Sequence, residues 1–546
     1  MIWQQVYNPL NSVTLSTFFA AIPVVVLLGT LAVFHMKAHW SALLGLASAL
    51  VVAIFVFNMP ADMALATAGY GALFGLLPIG WIILHVIFLY RLTKEKGWFD
   101  ILQNSLTGVT QDSRLQLVLI AFCFGAFFEG AAGFGTPVAV TAAILIGLGF
   151  PPLQASGLAL IANTAPVAFG ALGIPITTLA AVTKLDEMQL SMMAGRQLPF
   201  FSVLVPFWLV WAYAGFKGIK DVWPAILMAG LTFAIPQFLV SNLHGPSLVD
   251  IVASLVSMAC LTLFLLKWKP KNVWGLNGHD ACLDARGNCS HSRAEVIKAW
   301  IPWAILSVLV FLWGLPEVKS FLNGLSCPKF NIPFLHNLIE RVPPVVAHPE
   351  KEKAIYVLNW LSATGTGILI SAVISGFVMG YSVKGLAKAY WETIKTVRFS
   401  LLTIAAMLAL GFTTRYSGLD ATLGLTCAMT GWLYPFFGTM LGWLGVALTG
   451  SDTSSNVLFG GLQRITAEQI GLSPVLMASA NSTGGVMGKM IDAQSIVVAS
   501  TATQQYGKEG EILRYVFWHS IALASLVGVL VFLQAYVWPF TLMVVK

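Results

Sequence analysis

The chain has 546 residues, 57% of them hydrophobic and only 10% charged, with a formal net charge of +7 and a mean hydropathy of +0.81. Soluble domains carry about 25% charged residues, so this chain cannot cover a water-facing surface and reads as a polytopic membrane protein. The positive balance is no nucleic-acid signal, because Lys and Arg sit in short segments between apolar runs. Membrane lipid is an expected partner and nucleic acid is not.

The N-terminus, MIWQQVYNPL, lacks the basic stretch of a cleavable signal, so the first apolar segment is expected to stay and span. Apolar runs at 18–34, 43–57, 73–90, 251–266, 301–313 and 521–537 are spans or cores of spans. The usual length rule gives about 12 to 14 membrane-entering segments. Arg91, Lys94, Lys96 and Arg114 form one basic group. Lys217 and Lys220, then Lys267, Lys269 and Lys271, then Lys384, Lys388, Lys395 and Arg398 form others. The alternate loops near Asp62 and His244 hold no Lys or Arg. That asymmetry puts the basic loops in the cytoplasm and the N-terminus outside. Segment 317–353, of mixed charge, belongs outside by the same alternation.

The polar stretch 267–298 reads as a cytoplasmic loop dividing the chain into membrane halves at 1–266 and 299–546. The second half includes an external loop at 316–355. The dividing loop contains HDACLDARGNCSH, with His279, Cys282, Cys289 and His291. These are zinc-ligand types, but their spacing matches no common zinc module, and no metal is expected. Cys123, Cys260 and Cys427 lie in apolar runs and read as packing residues.

The two halves echo each other. FEGAAGFGTPVAV, at 128–140, places Glu129 among glycines, and no other Asp, Glu, Lys or Arg occurs between Arg114 and Lys184. Asn163 opens NTAPVAFGALGIP 34 residues later. In the second half LTGSDTSSN surrounds Asp452, the only charged residue between Asp420 and Arg464, and NSTGGVMGKM begins at Asn481, 29 residues on. Paired interruptions in weakly symmetric halves point to a secondary transporter. Irregular backbone at membrane depth is tolerated only where protein or a water-filled cavity satisfies it. Small residues also permit close helix packing, but that explains four coordinated breaks, two with acids, less well. The expected fold is an all-α polytopic membrane protein with two pseudo-symmetric halves and broken or re-entrant helices.

Several residues could carry chemistry. Desolvation penalises an ionised Glu129, so it could load and release a proton, or else cap freed amides. Asp452, among Ser451, Thr453 and Ser454, could stay ionised, hold a cation, or N-cap the following half-helix. Lys489 and Asp492 are three apart, would share a helix face and pair, and Lys489 could meet a substrate carboxylate. Arg196, next to Gln197, offers bidentate carboxylate contacts or snorkels at the interface. Arg415 has the same ambiguity, and His85 and His519 read as hydrogen-bonded structure.

FEGAAGFGTPVAV, NTAPVAFGALGIP, GRQLPF, LTGSDTSSN and NSTGGVMGKM resemble the signature stretches of the bacterial lactate permease family. The resemblance runs from WQQVYNP to LQAYV, the whole chain. It implies no enzyme, but an inner-membrane symporter importing a small 2-hydroxymonocarboxylate with a proton, the expected substrates being L-lactate, D-lactate and glycolate. No cofactor is implied beyond the coupling ion H⁺. Glu129, Asn163, Arg196, Gln197, Asp452, Asn481, Lys489 and Gln494 fall on matching motif positions. On the physical reading Glu129 and Asp452 are the proton-coupling candidates. Asn163, Arg196, Gln197, Ser451, Thr453, Ser454, Asn481, Lys489 and Gln494 are the substrate-binding ones. The chain departs from the usual Ser-Pro of the family at Asp492-Ala493. A sodium-coupled carboxylate transporter and an uncoupled carboxylate channel or sensor are the alternatives.

Overall fold

The computed structural model describes residues 2–32, 34, 36–99, 101, 110–131, 133, 135–275, 292–346 and 348–545. His279, Cys282, Cys289 and His291 lie outside the described residues. The chain is mostly helical. Among the described residues eight helices are long and apolar enough to cross a membrane, or up to nine if a bent pair is one span. Val13–Leu27, His39–Phe55, Thr136–Gly147 and Thr364–Val378 are shorter apolar helices. Phe18, Val25, Phe55, Leu243, Leu263 and Trp518 stand exposed on helices. Such a surface suits lipid, where every backbone polar group is satisfied inside the helix.

The strands are the exception to an all-helical chain, and they lie together. Trp3–Gln4 pairs in parallel with Ile339–Arg341, which pairs antiparallel with Glu350–Lys351. Lys329–Asn331 pairs antiparallel with Ile355–Val357. The N-terminus and the loop at 316–355 therefore share a face. The basic segments gather elsewhere. Arg114 donates to the carbonyls of Gly218 at 3.0 Å and Asn272 at 2.7 Å, and Arg91 lies 3.4 Å from Glu392. Span Ala61–Glu95 joins the two faces: Tyr70 donates to the Ile355 carbonyl at 3.0 Å, and Arg91 is near the other end.

Hairpins account for the long and the short helices alike. The 57-residue run Glu187–Leu243 is two antiparallel arms turned at Gly215, where φ is 64° and ψ −173°. Ser202 donates across the arms to Gln237 at 2.6 Å, and Ser191 to the Ser241 carbonyl at 2.9 Å. Ser113–Gly130 and Thr136–Gly147 fold back on each other in the same way. A Cβ on Gly125 would lie 3.2 Å from the Thr141 methyl. At the open end Tyr213 bonds Ser113 at 3.0 Å and its ring meets Phe150 at 5.2 Å. This hairpin enters from the basic face. Tyr434–Thr449 and Asp452–Gln469 form another, in which Gln463 donates to the Gly438 carbonyl at 2.6 Å and Ser455 to that of Gly442 at 3.1 Å. Arg341, beside the N-terminal strand, donates to its Leu458 carbonyl at 3.3 Å. The second hairpin thus enters from the face opposite the basic one. Each hairpin is followed by a broken span. Pro152–Ala162 and Val167–Ala180 are bent by 62°, and residues 489–492 separate Pro474–Gly488 from Ala493–Ala502.

Candidate functional site

The interruptions of both hairpins and both broken spans converge. The first tip turns at Gly133 and Gly135, with φ of 62° and 83°, and Glu129 sits one turn before it. The second tip turns at Gly450, φ 71°. Glycine is required there twice over, because a Cβ would also lie 2.8 Å from Gln494 Oε1. Between them lies a cavity of about 30 Å³ lined by Glu129, Gly170, Ser451, Asp452, Thr453 and Lys489, among others. That is room for about two waters.

Glu129 is 4% exposed, and its Oε2 has no hydrogen-bond partner. Asn163 ends its half-helix facing Glu129, yet neither atom of its amide completes a hydrogen bond. A Cβ on Gly170 would lie 2.5 Å from Glu129 Oε1, so the second break supplies the space that the carboxylate fills. Asp452 is held on one side only. Its Oδ2 accepts from Ser482 in a short contact and from Asn456 at 3.5 Å, while Oδ1 is unpartnered. The N-cap of its helix is Ser451, whose hydroxyl accepts from the Ser454 amide at 3.3 Å. Asp452 is therefore not the cap that the sequence allowed, and only its Oδ1 is left without a partner.

Lys489 is the cation of the cavity lining. Its Nζ donates to the Gly450 carbonyl at 2.6 Å and lies 3.3 Å from Asp492 Oδ2. The pair forms across a break, not along one helix face. Pro474–Gly488 has ended, and Asp492 N-caps Ala493–Ala502, accepting from the Ser495 amide at 2.7 Å. Lys489 thereby ties the second hairpin tip to the second broken span.

A family model described as L-lactate permease matches residues 16–538. The chain is 48% identical to the glycolate permease GlcA of Escherichia coli (strain K12), over 98% of each chain. It is 45% identical to the L-lactate permease of Bacillus subtilis (strain 168), over 98% of this chain and 99% of that one. The chain belongs to the L-lactate permease family. Members of this family are transporters and not enzymes, and this one is a multi-pass membrane protein. Among solved structures it aligns with the Alcanivorax borkumensis YdaH transporter at a TM-score of 0.32 and 15% identity, covering 96% of this chain and 97% of that one.

Of the permease residues singled out in the sequence, the structure brings Glu129, Ser451, Asp452, Thr453 and Lys489 to one cavity. Asn163 adjoins it, and Gln494 lies between the tips, near Gly135 and Gly450. Ser454 serves the cap through its backbone amide. The others are elsewhere. Arg196 donates to Asn242 at 3.2 Å and to the Met543 carbonyl at 3.0 Å, so it pins the chain's end and does not reach the cavity. Gln197 spans Gln534 and Thr483 at 2.9 and 2.7 Å, one layer behind. Asn481 is consumed internally, donating to Asn456 at 2.9 Å and Ser455 at 3.3 Å and accepting from Gln463 at 3.1 Å. It locks the broken span to the hairpin. Arg415 pairs with Glu352 at 3.3 Å.

Asp250 escaped the sequence reading. It is 1% exposed and both its carboxylate oxygens lack a partner. A Cβ on Gly130, next to Glu129, would lie 2.8 Å from Asp250 Cβ. The available signal was its isolation: it is the only acid between Asp221 and Asp280.

Proposed function

We propose that this permease is a proton-coupled symporter that imports 2-hydroxymonocarboxylates (L-lactate, D-lactate and glycolate) across the bacterial inner membrane. The observation that carries this reading is the pair of partly unpartnered carboxylates, Glu129 and Asp452, in one cavity with Lys489 already engaged. A substrate anion entering beside two ionised acids would be repelled. At about 4 Å and an effective dielectric of about 20, each like-charge pair costs about 4 kcal/mol. A proton on Glu129 removes one such term, so anion and proton enter together and the loaded site gains no net charge. In the same desolvated place an ionised Glu129 has no hydrogen bond at Oε2 to offset its burial. Asn163, beside Glu129, would take the substrate carboxylate, and Ser451 and Thr453 its hydroxyl.

Sodium coupling is the weaker reading. A sodium ion beside Asp452 would need freed carbonyl oxygens, and that of Gly450 is taken by the Lys489 ammonium. The cavity is too small for a 2-hydroxyacid as it stands, so it has to widen to take one. Hairpins entering from opposite faces, each with its broken span, support two inverted halves at 1–266 and 299–546 joined by a cytoplasmic loop at 267–298. The basic loops then face the cytoplasm, with the N-terminus and the 316–355 loop outside.

The test is labelled L-lactate uptake into proteoliposomes under an inward proton gradient without sodium, competed by D-lactate, glycolate and succinate. Accumulation abolished by an uncoupler, with competition by the 2-hydroxymonocarboxylates alone, is expected. Accumulation only after sodium is added would overturn the coupling.

A further inference from the structure

A second, larger cavity lies directly beyond the first. It measures about 340 Å³ and is lined by Tyr70, Phe74, Lys319, Asn323, Ser362 and Thr364, among others. It sits on the face that carries the strands, since Ile355, Tyr356 and Val357 of the strand Ile355–Val357 line it too. One residue, Ile174, lines both cavities. The two spaces are therefore neighbours, and Ile174 is part of the wall they share.

The backbone that carries Ile174 is unusual. Residues 171–173 have φ of 47°, 61° and 80°, a left-handed turn, and the first two are Ala and Leu. A non-glycine residue there is strained, and such strain persists only where the surroundings over-determine it. Here the surroundings are Glu129 beside Gly170 and the Pro246 carbonyl, which lies 2.7 Å from where a Gly173 Cβ would be. Relaxing this turn would move Ile174, so the strained stretch and the partition between the cavities are one device.

Lys319 gives the larger cavity its chemistry. It lies on the helix Pro316–Leu325, and burial pushes its ammonium down from the ordinary lysine range with no carboxylate opposing the effect. Among the described residues no ion pair engages it. A half-buried ammonium without a counter-charge favours an anion beside it. In the neighbouring lining Ser362 donates to Asn323 Oδ1 at 2.6 Å, which leaves the Asn323 amide N–H groups and the Thr364 hydroxyl to meet a ligand, and the volume admits a small hydroxyacid with its water.

We propose that this cavity is an anion-recruiting vestibule in which a small monocarboxylate pairs with Lys319 before Ile174 moves aside to admit it to the central site. The inference rests on the transport reading above, which it deepens by adding an earlier binding step. Lys319 acts on capture and not on proton coupling.

The experiment is initial-rate uptake of labelled L-lactate and glycolate by the full chain in proteoliposomes, comparing wild type with Lys319→Met and Lys319→Arg. Lys319→Met is expected to raise KM about three- to tenfold, the size expected for loss of one steering charge. Its maximal rate and proton dependence should hold, and Lys319→Arg should restore KM. The salt dependence of KM should fall in Lys319→Met. A second measurement guards against a folding defect. Asn359→Cys, on the vestibule wall, is placed in a Cys327→Ser background and treated with a membrane-impermeant thiol reagent in right-side-out vesicles. L-lactate should slow its labelling when Lys319 is present and not when it is Met. Unchanged KM in Lys319→Met, or labelling that L-lactate never slows, overturns the vestibule. Wild-type protein that takes up neither substrate fails the transport reading instead.

Discussion

Glu129→Gln separates coupling from binding. The amide keeps the shape of the acid and removes its titration. Oε2 has no hydrogen-bond partner, so the swap breaks no bond there, and the charge that needed desolvating is gone. Thermal stability should be unchanged or slightly raised. The neutral side chain imitates the protonated acid, so the substrate anion still binds without the roughly 4 kcal/mol repulsion of a close like charge. Counterflow between labelled and unlabelled L-lactate should persist. Accumulation should not. An inward gradient of about two pH units is worth about 2.7 kcal/mol per proton, or about 100-fold accumulation at one proton per anion. In proteoliposomes with the membrane potential clamped at zero, wild type should approach that ratio and Glu129→Gln should stay near equality. Accumulation by Glu129→Gln at the wild-type ratio would refute the reasoning, and loss only in Asp452→Asn would move the proton to Asp452.

Lys489→Met should destabilise the protein by about 3–5 kcal/mol, because it strands Asp492 in a buried site. Lys489→Met with Asp492→Asn should recover much of this, since Asn also caps a helix, and unfolding in detergent reads both. Gly442→Ala should cost about 3 kcal/mol or more, as its Cβ would lie 2.0 Å from the Asn481 carbonyl oxygen, a backbone atom that cannot swing away. The melting temperature checks this. Arg196→Gln should leave KM for L-lactate unchanged while loosening the C-terminal end, because Arg196 holds Asn242 and the Met543 carbonyl. A large KM change would return it to the substrate path. Asp250→Asn should not lower the melting temperature, since neither carboxylate oxygen makes a hydrogen bond to lose. A clear drop would expose a partner for the ionised form.

The membrane class was decided by sequence alone, because a chain with 10% charged residues has no other way to satisfy its surface. The breaks were legible for the same kind of reason. Glycines, Asn and lone acids inside apolar runs cannot lie idle in lipid, and Glu129, Asp452 and Lys489 do meet at one cavity. Periodicity carries no information on which interrupted segments turn back and which continue. It gave no sign that Gly215 folds 57 residues into two arms, or that the hairpins carrying Glu129 and Asp452 enter from opposite faces. Motif position also could not separate residues that face the cavity from residues that hold it together. Asn163 and Asn481 look equivalent in sequence, yet one turns its amide toward Glu129 and the other spends its amide on Asn456, Ser455 and Gln463. Arg196 sits in a signature stretch but faces the chain's own end. Asp250 carries no motif and still lands beside Glu129's helix. These outcomes depend on partners hundreds of residues away, so only the tertiary structure decided which polar groups were left unpaired and thus available for function.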